Sequence, residues 1–316
     1  MADTLLAWLR LVRLPNHATA LADVLAGYLV VSHLRTIDWP APALRWAMLA
    51  SVAFYAAGMV LNDVFDVEID RVERPERPLP SGRIDLRGAV LVGNLLLALG
   101  SVAACATALA ARSPWPALVG AALTAAVWAY DRHAKATAFG PIAMGACRSL
   151  NWLLGMTAAG GPQAAAEWLL PVGMGVYVMG ITLYARNEAE ENRDDTLAAG
   201  SIIMLVGLAM AGLFPWLASR AAEETTWLGT GAAGAARLSG WLFLWSVLSA
   251  SVLLRSFLGM IEPTAERVQQ AVGNAIMSII TLDAVLVLAT CGEPWALLLL
   301  MLLVPFFLGR WIVSPT

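Results

Sequence analysis

The chain has 316 residues, of which 59% are hydrophobic and only 14% are charged. Its mean hydropathy is +0.70, and its apolar runs are long enough to cross a bilayer, which excludes an ordinary soluble domain. The formal net charge of -3 indicates neither a nucleic-acid-binding surface nor a strongly acidic one. We therefore expect an integral membrane protein whose partners include the lipid bilayer but no nucleic acid.

Ten apolar segments are separated by polar or Pro/Gly-containing breaks. Runs of this length without in/out alternation favour helices, which satisfy their backbone hydrogen bonds within one segment. The predicted fold is all-α: a polytopic transmembrane helical bundle of nine to ten spans around a central cavity. The predicted segments are 17–34, 42–61, 87–111, 114–130, 139–159, 166–185, 197–219, 238–257, 268–290 and 294–312.

Basic residues are unevenly distributed across these spans. If the N-terminus is cytoplasmic, most of the 20 Lys and Arg residues fall on the cytoplasmic side, as the positive-inside rule expects. An even number of spans returns the C-terminus to that side. The first apolar run lacks a clear small-residue cleavage site, so we expect it to stay as a span. We expect a cell (inner) membrane protein whose termini and polar loops after spans 2, 4, 6 and 8 are cytoplasmic.

The two most acidic loops, 62–87 and 186–196, lie one four-span unit apart. This spacing suggests a single domain, 1–316, that contains two pseudo-repeat halves facing each other across a cavity, as in repeat-built transporters. The halves would cover about 10–160 and 161–290, and the span 294–312 would be additional.

Cys105, Cys147 and Cys291 lie in or beside apolar segments, without a CxxC pair or a histidine at ligand spacing. A disulfide framework or a zinc site is therefore not expected. We interpret these cysteines as packing residues.

An acidic cluster follows the second span, where residues 61–83 read LNDVFDVEIDRVERPERPLPSGR. On a helix, Asn62, Asp63, Asp66 and Asp70 fall within about 100° of one another and so share one face. Carboxylates this close repel each other unless a cation lies among them, and hard oxygen ligands suit Mg²⁺. Phosphate oxygens and water usually complete the Mg²⁺ octahedron, so the cluster predicts a phosphorylated ligand. The alternative is a solvated turn with ordinary surface charges.

The spacing Asn62-Asp63-x-x-Asp66-x-x-x-Asp70, followed by RPLPSG from Arg77, resembles the first Asp-rich motif of the UbiA superfamily of intramembrane prenyltransferases. The resemblance spans about 10–285, and the finer likeness is to the divergent EboC-like branch. It implies that the Asn and Asp residues of the motif hold Mg²⁺ against the diphosphate of an isoprenyl donor.

The stretch 130–151, YDRHAKATAFGPIAMGACRSLN, resembles the family's segment between spans 4 and 5. Residues 10–16, RLVRLPN, resemble its opening region, which faces the central cavity, and a membrane-interface anchor is the alternative for Arg10 and Arg13. Cations in these loops would bind diphosphate oxygens, lysine as a point charge and arginine as a planar fork. The residues predicted to bind diphosphate are Arg71, Arg132, Lys135, Arg148 and Arg186. The residues predicted to line the acceptor site or the cavity are Asn16, Tyr130, Asn151 and Tyr184. For Arg132 and Lys135, positive-inside topology alone is the alternative.

A second acidic run, 184–195, lies where the family carries its second Asp-rich motif. Aligned on Tyr184, the paired positions are Glu188 and Asn192, with Glu191 adjacent, so the chain departs from the family's paired aspartates. These three residues are predicted metal ligands, although glutamate reaches further than aspartate and asparagine carries no charge. A second metal position would then be shifted or weaker. The alternative is an ordinary charged loop.

The residues predicted to take part in catalysis are Asp66, Asp70, Lys135 and Arg148. Mg²⁺ and a basic rim would neutralise the leaving diphosphate as the allylic C–O bond ionises. Aromatic rings near the cavity would favour the carbocation, and the candidates by position are Phe54, Tyr55, Trp128 and Trp152.

The predicted function is a Mg²⁺-dependent prenyltransferase that acts on an isoprenyl diphosphate and a small aromatic acceptor. Two alternatives stay open. One is a membrane terpene cyclase, in which a double bond of the prenyl chain replaces the acceptor. The other is a lipid or metabolite carrier that keeps the helical scaffold with weakened chemistry.

Overall fold

The computed structural model describes residues 2–35, 41–186, 193–221, 228 and 231–313, and these residues form helices and turns without a strand. The α-helices are Ala2–Leu11 (α1), His17–Leu34 (α2), Pro42–Phe65 (α3), Val67–Glu73 (α4), Leu86–Ala111 (α5), Trp115–Ala129 (α6), Gly140–Ala158 (α7), Leu169–Ala185 (α8), Arg193–Ala221 (α9), Gly231–Ile261 (α10), Ala265–Cys291 (α11), Glu293–Leu300 (α12) and Leu303–Val313 (α13). The prediction of an all-α fold is confirmed.

Within the described residues, 8 helical segments are long and apolar enough to cross a membrane. They are Leu14–Leu34, Pro42–Phe65, Leu86–Ala111, Ala165–Ala185, Asp195–Ala218, Ala233–Ile261, Ala265–Cys291 and Glu293–Val313. The chain is therefore an integral, multi-pass membrane protein. The division into halves at 10–160 and 161–290 stays a prediction.

The two remaining predicted spans, 114–130 and 139–159, are helical but do not meet that measure. Helix α6 has only 15 residues, and α7 carries Arg148 and Asn151 among its apolar residues. The predicted count of nine to ten spans is therefore close to the 8 segments that qualify by length and hydropathy. Short or polar helices of this kind are tolerated where neighbouring helices surround them.

The predicted additional span, 294–312, is made of α12 and α13, which are separated by a turn at 301–302. Helix α13 packs on the 3₁₀ turn Leu14–Asn16, and a Cβ on Gly309 would lie 3.1 Å from the Pro15 Cα. The Arg10 Nε also donates a hydrogen bond of 3.3 Å to the Val313 carbonyl. The last helix thus packs against the segment that leads into α2.

Helices α2 and α7 approach each other closely through two glycines. A Cβ on Gly155 would clash with the Val24 carbonyl, and a Cβ on Gly27 would lie 2.6 Å from the Trp152 carbonyl. Close backbone approach through small residues is typical of membrane helix pairs. This contact places the polar positions of α7, Arg148 and Asn151, next to α2.

Helix α3 ends at Phe65 and α4 begins at Val67, with Asp66 at the junction. The Asp66 amide still donates 3.0 Å to the Asn62 carbonyl, and the Asp70 amide donates 2.8 Å to the Asp66 carbonyl. The helical path therefore continues through the break. Because of this continuity, the acidic motif presents its side chains on one side, as its spacing predicts.

The close contact between α2 and α7 leads to a stability prediction. We expect Gly155→Ala to destabilise the protein by roughly 1–3 kcal/mol, because the new methyl group would overpack against the α2 backbone. Gly273→Ala in α11 is the matched control, since a Cβ at Gly273 meets nothing within 4 Å. The control should be neutral or stabilising by up to about 1 kcal/mol. Thermal unfolding in detergent measures both variants, and equal midpoints would contradict the proposed contact.

Candidate active site

A cavity of about 250 Å³ lies between α2, α3, α6, α7, α8 and α11. Its apolar walls are formed by Phe54, Met59, Leu123, Val127, Met144, Val178, Ile181, Ile276 and Ile279. Its polar lining residues are Arg13, Asn16, Thr19, Ser51, Tyr130, Asp131, Arg148, Asn151 and Thr182. One end of the cavity, at Arg13, Tyr130 and Asp131, adjoins the acidic motif, and the other end, at Ser51 and Asn151, forms a floor inside the bundle.

Asn62 and Asp66 of the motif contact Lys135, which follows the π-helical turn Tyr130–Ala134 at the end of α6. The Lys135 Nζ lies 2.6 Å from the Asp66 Oδ1 and 3.3 Å from both the Asn62 Oδ1 and the Asn62 carbonyl oxygen. The Asn62 Nδ2 donates 3.3 Å to the Asp66 Oδ2. The structure thus joins three of the predicted site residues in one cluster.

Asp63 and Asp70 contact two arginines. The Arg77 Nη1 lies 2.7 Å from the Asp70 Oδ2 and 3.7 Å from the Asp63 Oδ1. The Arg13 Nη2 lies 3.5 Å from the same Asp63 oxygen, which makes no hydrogen bond within the described residues. Arg13 adopts a left-handed conformation, with φ 49°, which is uncommon for a residue with a side chain. The loop after α4 and the turn before α2 therefore supply cations that sequence reasoning did not assign to this site.

The donor set fits a metal that is shared with a substrate. Within the described residues, no three His, Cys, Asp or Glu side chains converge closely enough to hold a metal by themselves. Mg²⁺ commonly takes one or two protein carboxylates and completes its octahedron with phosphate oxygens and water. Asp66 and Asp70, with the Asn62 amide oxygen, offer ligands of this kind on one face. The predicted ligands Glu188, Glu191 and Asn192 lie outside the described residues.

Asp131, which sequence reasoning missed, is buried at the same end of the cavity. Its Oδ2 has no hydrogen-bond donor among the described residues. Burial is the main cause that raises the pKa of Asp131 to about 8; Lys135 opposes this shift and Asp66 adds to it. Burial likewise raises the pKa of Tyr130 to about 12, so the phenol stays protonated and can donate a hydrogen bond at neutral pH. The π-helical turn accounts for this placement, because such turns redirect side chains at functional sites.

The cavity floor is formed by a hydrogen-bond network around Asn151. Its Nδ2 donates to the Ala20 carbonyl at 2.8 Å, and its Oδ1 accepts from the Ser51 hydroxyl at 2.7 Å. Arg148, predicted to bind diphosphate, instead pairs with Asp23 at 2.7 Å and donates to the Thr19 carbonyl at 3.0 Å. The structure thus gives Arg148 a partner at the floor, away from the acidic motif.

Four other predicted residues contact groups outside this cluster. Arg71 pairs with Glu68 at 2.6 Å on an exposed surface, because the two side chains are three positions apart on α4. The Arg132 guanidinium lies over the Trp128 ring, 5.3 Å from its centroid. Arg186 donates 3.4 Å to the Ala136 carbonyl, and the Tyr184 hydroxyl donates 2.8 Å to the Ser256 carbonyl.

Of these four residues, Tyr184 is buried in helix packing and lies outside the cavity lining, contrary to its predicted place there. Asn16, Tyr130 and Asn151 do line the cavity as predicted. Among the aromatic candidates, Phe54 and Tyr55 also line it, whereas Trp128 and Trp152 do not.

A signal for Asp23 and Asp131 was present in the sequence. Asp23 is a lone acidic residue inside the first apolar span, and Asp131 immediately follows another span. Ionisable residues inside membrane segments almost always face the bundle interior, so the position of each residue predicts a place beside the cavity. Sequence reasoning passed over them because it weighted clusters above single charges.

Comparison with known proteins identifies the family. A model of the UbiA prenyltransferase family matches residues 20–277. Digeranylgeranylglyceryl phosphate synthase from Methanocaldococcus jannaschii is 41% identical over 102 residues, which cover 32% of this chain and 34% of that protein. The corresponding synthase from Ignicoccus hospitalis is 43% identical over 94 residues, which cover 30% of this chain and 29% of that protein. The match therefore spans about a third of the length of these curated relatives.

Solved structures show the same fold at low sequence identity. A digeranylgeranylglyceryl phosphate synthase structure superposes with a TM-score of 0.64 at 20% identity, covering 91% of this chain and 98% of that one. A UbiA homolog from Archaeoglobus fulgidus bound to GPP and Mg²⁺ gives 0.56 at 14% identity, covering 86% and 99% of the two chains. An apo UbiA homolog from Aeropyrum pernix K1 gives 0.59 at 18% identity, covering 86% and 97%.

The family model covers well over half of the sequence, and the helical bundle agrees with the fold of these neighbours. The narrower likeness to the EboC-like branch stays a prediction. The chain belongs to the UbiA prenyltransferase family.

Proposed function

We propose that this protein is a Mg²⁺-dependent intramembrane prenyltransferase that ionises an isoprenyl diphosphate and transfers the prenyl group to a small acceptor. The proposal rests on a charged cluster that adjoins an apolar cavity. Carboxylates paired with Lys135 and Arg77 adjoin one end of a cavity whose walls are apolar. A diphosphate ester with a hydrocarbon tail is a ligand with the same two parts.

Asn62, Asp66 and Asp70, supported by Asp63, would hold Mg²⁺, as their oxygen donors and their shared face suggest. When bound, the metal would supply charge neutralisation at the leaving diphosphate. The UbiA homolog from Archaeoglobus fulgidus binds Mg²⁺ together with a prenyl diphosphate, and its fold is the same. This likeness supports the metal assignment without extending to distances in this chain.

The protein's own cations contribute to the same step. Lys135, Arg77 and Arg13 lie within 2.6–3.7 Å of the motif carboxylates. When these carboxylates hold Mg²⁺, the three cations would be available to the diphosphate oxygens. The allylic C–O bond then breaks, the diphosphate leaves with the electron pair, and the preorganised cations stabilise the charge that develops on it.

The cavity would protect the carbocation from water. Phe54 and Tyr55 line it beside aliphatic side chains, and aromatic faces favour a positive charge. A nucleophilic atom of the acceptor then bonds to the prenyl carbon, and the proton that it carried passes to solvent or to a base in the cavity. Exclusion of water favours this bond over hydrolysis.

The acceptor is the least constrained part of the proposal. Sequence analysis favours a small aromatic nucleophile, whereas the curated relatives are named for a product that carries a glyceryl phosphate. We propose that the active-site loops and both termini face the cytoplasm, which the distribution of basic residues supports.

Purified protein incubated with geranyl, farnesyl or geranylgeranyl diphosphate tests the function directly. Mass spectrometry should detect prenylated product when an aromatic alcohol or a glyceryl phosphate lipid is supplied with Mg²⁺. A cyclic hydrocarbon or terpene alcohol formed without an acceptor would identify a cyclase instead. Binding without any release of diphosphate would favour a carrier.

Loss of one motif carboxylate should abolish the chemistry. We expect Asp66→Asn to reduce Mg²⁺-dependent diphosphate release by at least about a hundredfold, because the carboxylate would hold the metal that neutralises the leaving group. Glu68→Gln is the matched control, since Glu68 is exposed two residues away and pairs only with Arg71 among the described residues. Equal loss in both variants, measured by a coupled diphosphate assay, would argue against the assignment.

Lys135 and Arg71 provide a second matched pair. We expect Lys135→Met to weaken binding of inorganic diphosphate with Mg²⁺ by about ten- to a hundredfold, since a charge-assisted hydrogen bond contributes about 1.5–3 kcal/mol. Arg71→Met should have little effect, because Arg71 contacts Glu68 on the exposed face of α4. Isothermal titration calorimetry compares the two, and a larger loss in the Arg71 variant would restore the sequence-based role of Arg71.

Phe54 should limit the length of the prenyl chain. It lies two helical turns before Asn62 on α3, about 12 Å along the axis, and a Cβ on Gly100 would lie 2.7 Å from its ring. Phe54→Ala would extend the cavity toward α5. We expect the rate with geranylgeranyl diphosphate relative to geranyl diphosphate to rise about tenfold.

The control for this change is Phe214→Ala, which removes a buried ring outside the cavity lining. It should lower stability without altering the ratio of the two rates. An unchanged ratio in the Phe54 variant would show that another residue limits the chain.

A further inference from the structure

Three charged side chains from three helices meet beneath the cavity floor. Asp23 lies on α2, Arg148 on α7 and Asp283 on α11. Their exposed fractions are 0%, 8% and 0%. None of the three belongs to the acidic motif, and Asp283 has no part in the proposed reaction.

Asp23 is paired with Arg148 and Asn151, although its Oδ1 accepts no hydrogen bond among the described residues. Its Oδ1 lies 2.7 Å from the Arg148 Nη2, and its Oδ2 accepts a hydrogen bond of 2.9 Å from the Asn151 Nδ2. Arg148 also donates 3.0 Å to the Thr19 carbonyl. Asp23 and Arg148 therefore form a neutral ion pair that links α2 to α7.

Asp283 is different. Neither of its oxygens accepts a hydrogen bond from any donor among the described residues. Its carboxyl group interacts with that of Asp23 across the contact between α11 and α2. An ionised carboxylate in this place would have lost its water and gained no donor in exchange, so the ionised form is strongly disfavoured.

The charge balance of the cluster also disfavours an ionised Asp283. Two carboxylates and one guanidinium would leave one uncompensated negative charge inside the bundle. The other polar groups that face the cluster are neutral: they are Ser51 and Tyr55 from α3, Asn151 and Trp152 from α7, and Tyr177 from α8. A buried carboxylate without an opposite charge beside it becomes neutral by taking up a proton.

We propose that Asp23 and Asp283 form a proton-binding site, in which Asp283 is a neutral carboxylic acid that donates a hydrogen bond to Asp23. One added proton cancels the excess negative charge. It also gives the carboxyl groups of Asp23 and Asp283 a shared hydrogen bond. The cluster of Arg148, Asp23 and Asp283 is then neutral and joins α2, α7 and α11. It leaves the cavity floor polar but uncharged.

Infrared spectroscopy of the purified protein tests the proposal independently of any enzymatic activity. At neutral pH, the wild type should show the carbonyl-stretch band of a buried protonated carboxylic acid, with a small shift in D₂O. Asp283→Asn should remove this band. Asp85→Asn, which changes an exposed carboxyl group, should leave it in place.

Asp283→Glu provides a second test if the asparagine variant does not fold, because it should move the band rather than abolish it. Asp131 is another buried carboxyl group, so Asp131→Asn is recorded beside these variants to assign its contribution. Absence of any Asp283-dependent band would overturn the proposal. Carboxylate bands that change when sodium replaces choline would overturn it in favour of a bound monovalent cation.

Discussion

Acidic side chains in this bundle are arranged around one constraint: in an apolar environment, each carboxylate needs a cation or a proton. Asp66 meets Lys135, Asp70 meets Arg77, and Asp23 meets Arg148, at 2.6–2.7 Å in each case. The partners come from different helices or loops, so charge neutralisation also fixes how those elements are placed. The close approach of α2 and α7 at Gly155 brings Arg148 within reach of Asp23.

The same constraint divides the cavity into three zones. Carboxylates and cations in near balance adjoin one end, apolar side chains form the middle, and hydrogen-bonding groups with the paired Arg148 form the floor. A metal–diphosphate complex could enter the charged zone by exchanging partners, because the metal would bind the carboxylates and release the cations to the phosphate oxygens. In the proposed reaction, the apolar middle would accommodate the hydrocarbon chain and keep water from the carbocation.

The structure gives several basic residues contacts that differ from those predicted from the sequence. Arg148 belongs to the floor, where Asp23 holds it, while Arg71 and Arg132 contact Glu68 and the Trp128 ring. The cations next to the motif are Lys135, Arg77 and Arg13. Residue type alone did not separate these roles, because each arginine has the same chemistry until its helix face and its neighbours are known.

The sequence by itself determined the all-α membrane bundle and the shared helical face of Asn62, Asp66 and Asp70. Long apolar runs have few alternatives in lipid, and the spacing from Asn62 to Asp70 follows the helical period, so both are local properties. Only the tertiary structure decided which distant groups meet. Arg77 returns to Asp70 through a loop, the π-helical turn buries Asp131, and Asp283 faces Asp23 from 260 positions away. Such contacts depend on how helices pack against one another, which no periodicity along one segment encodes.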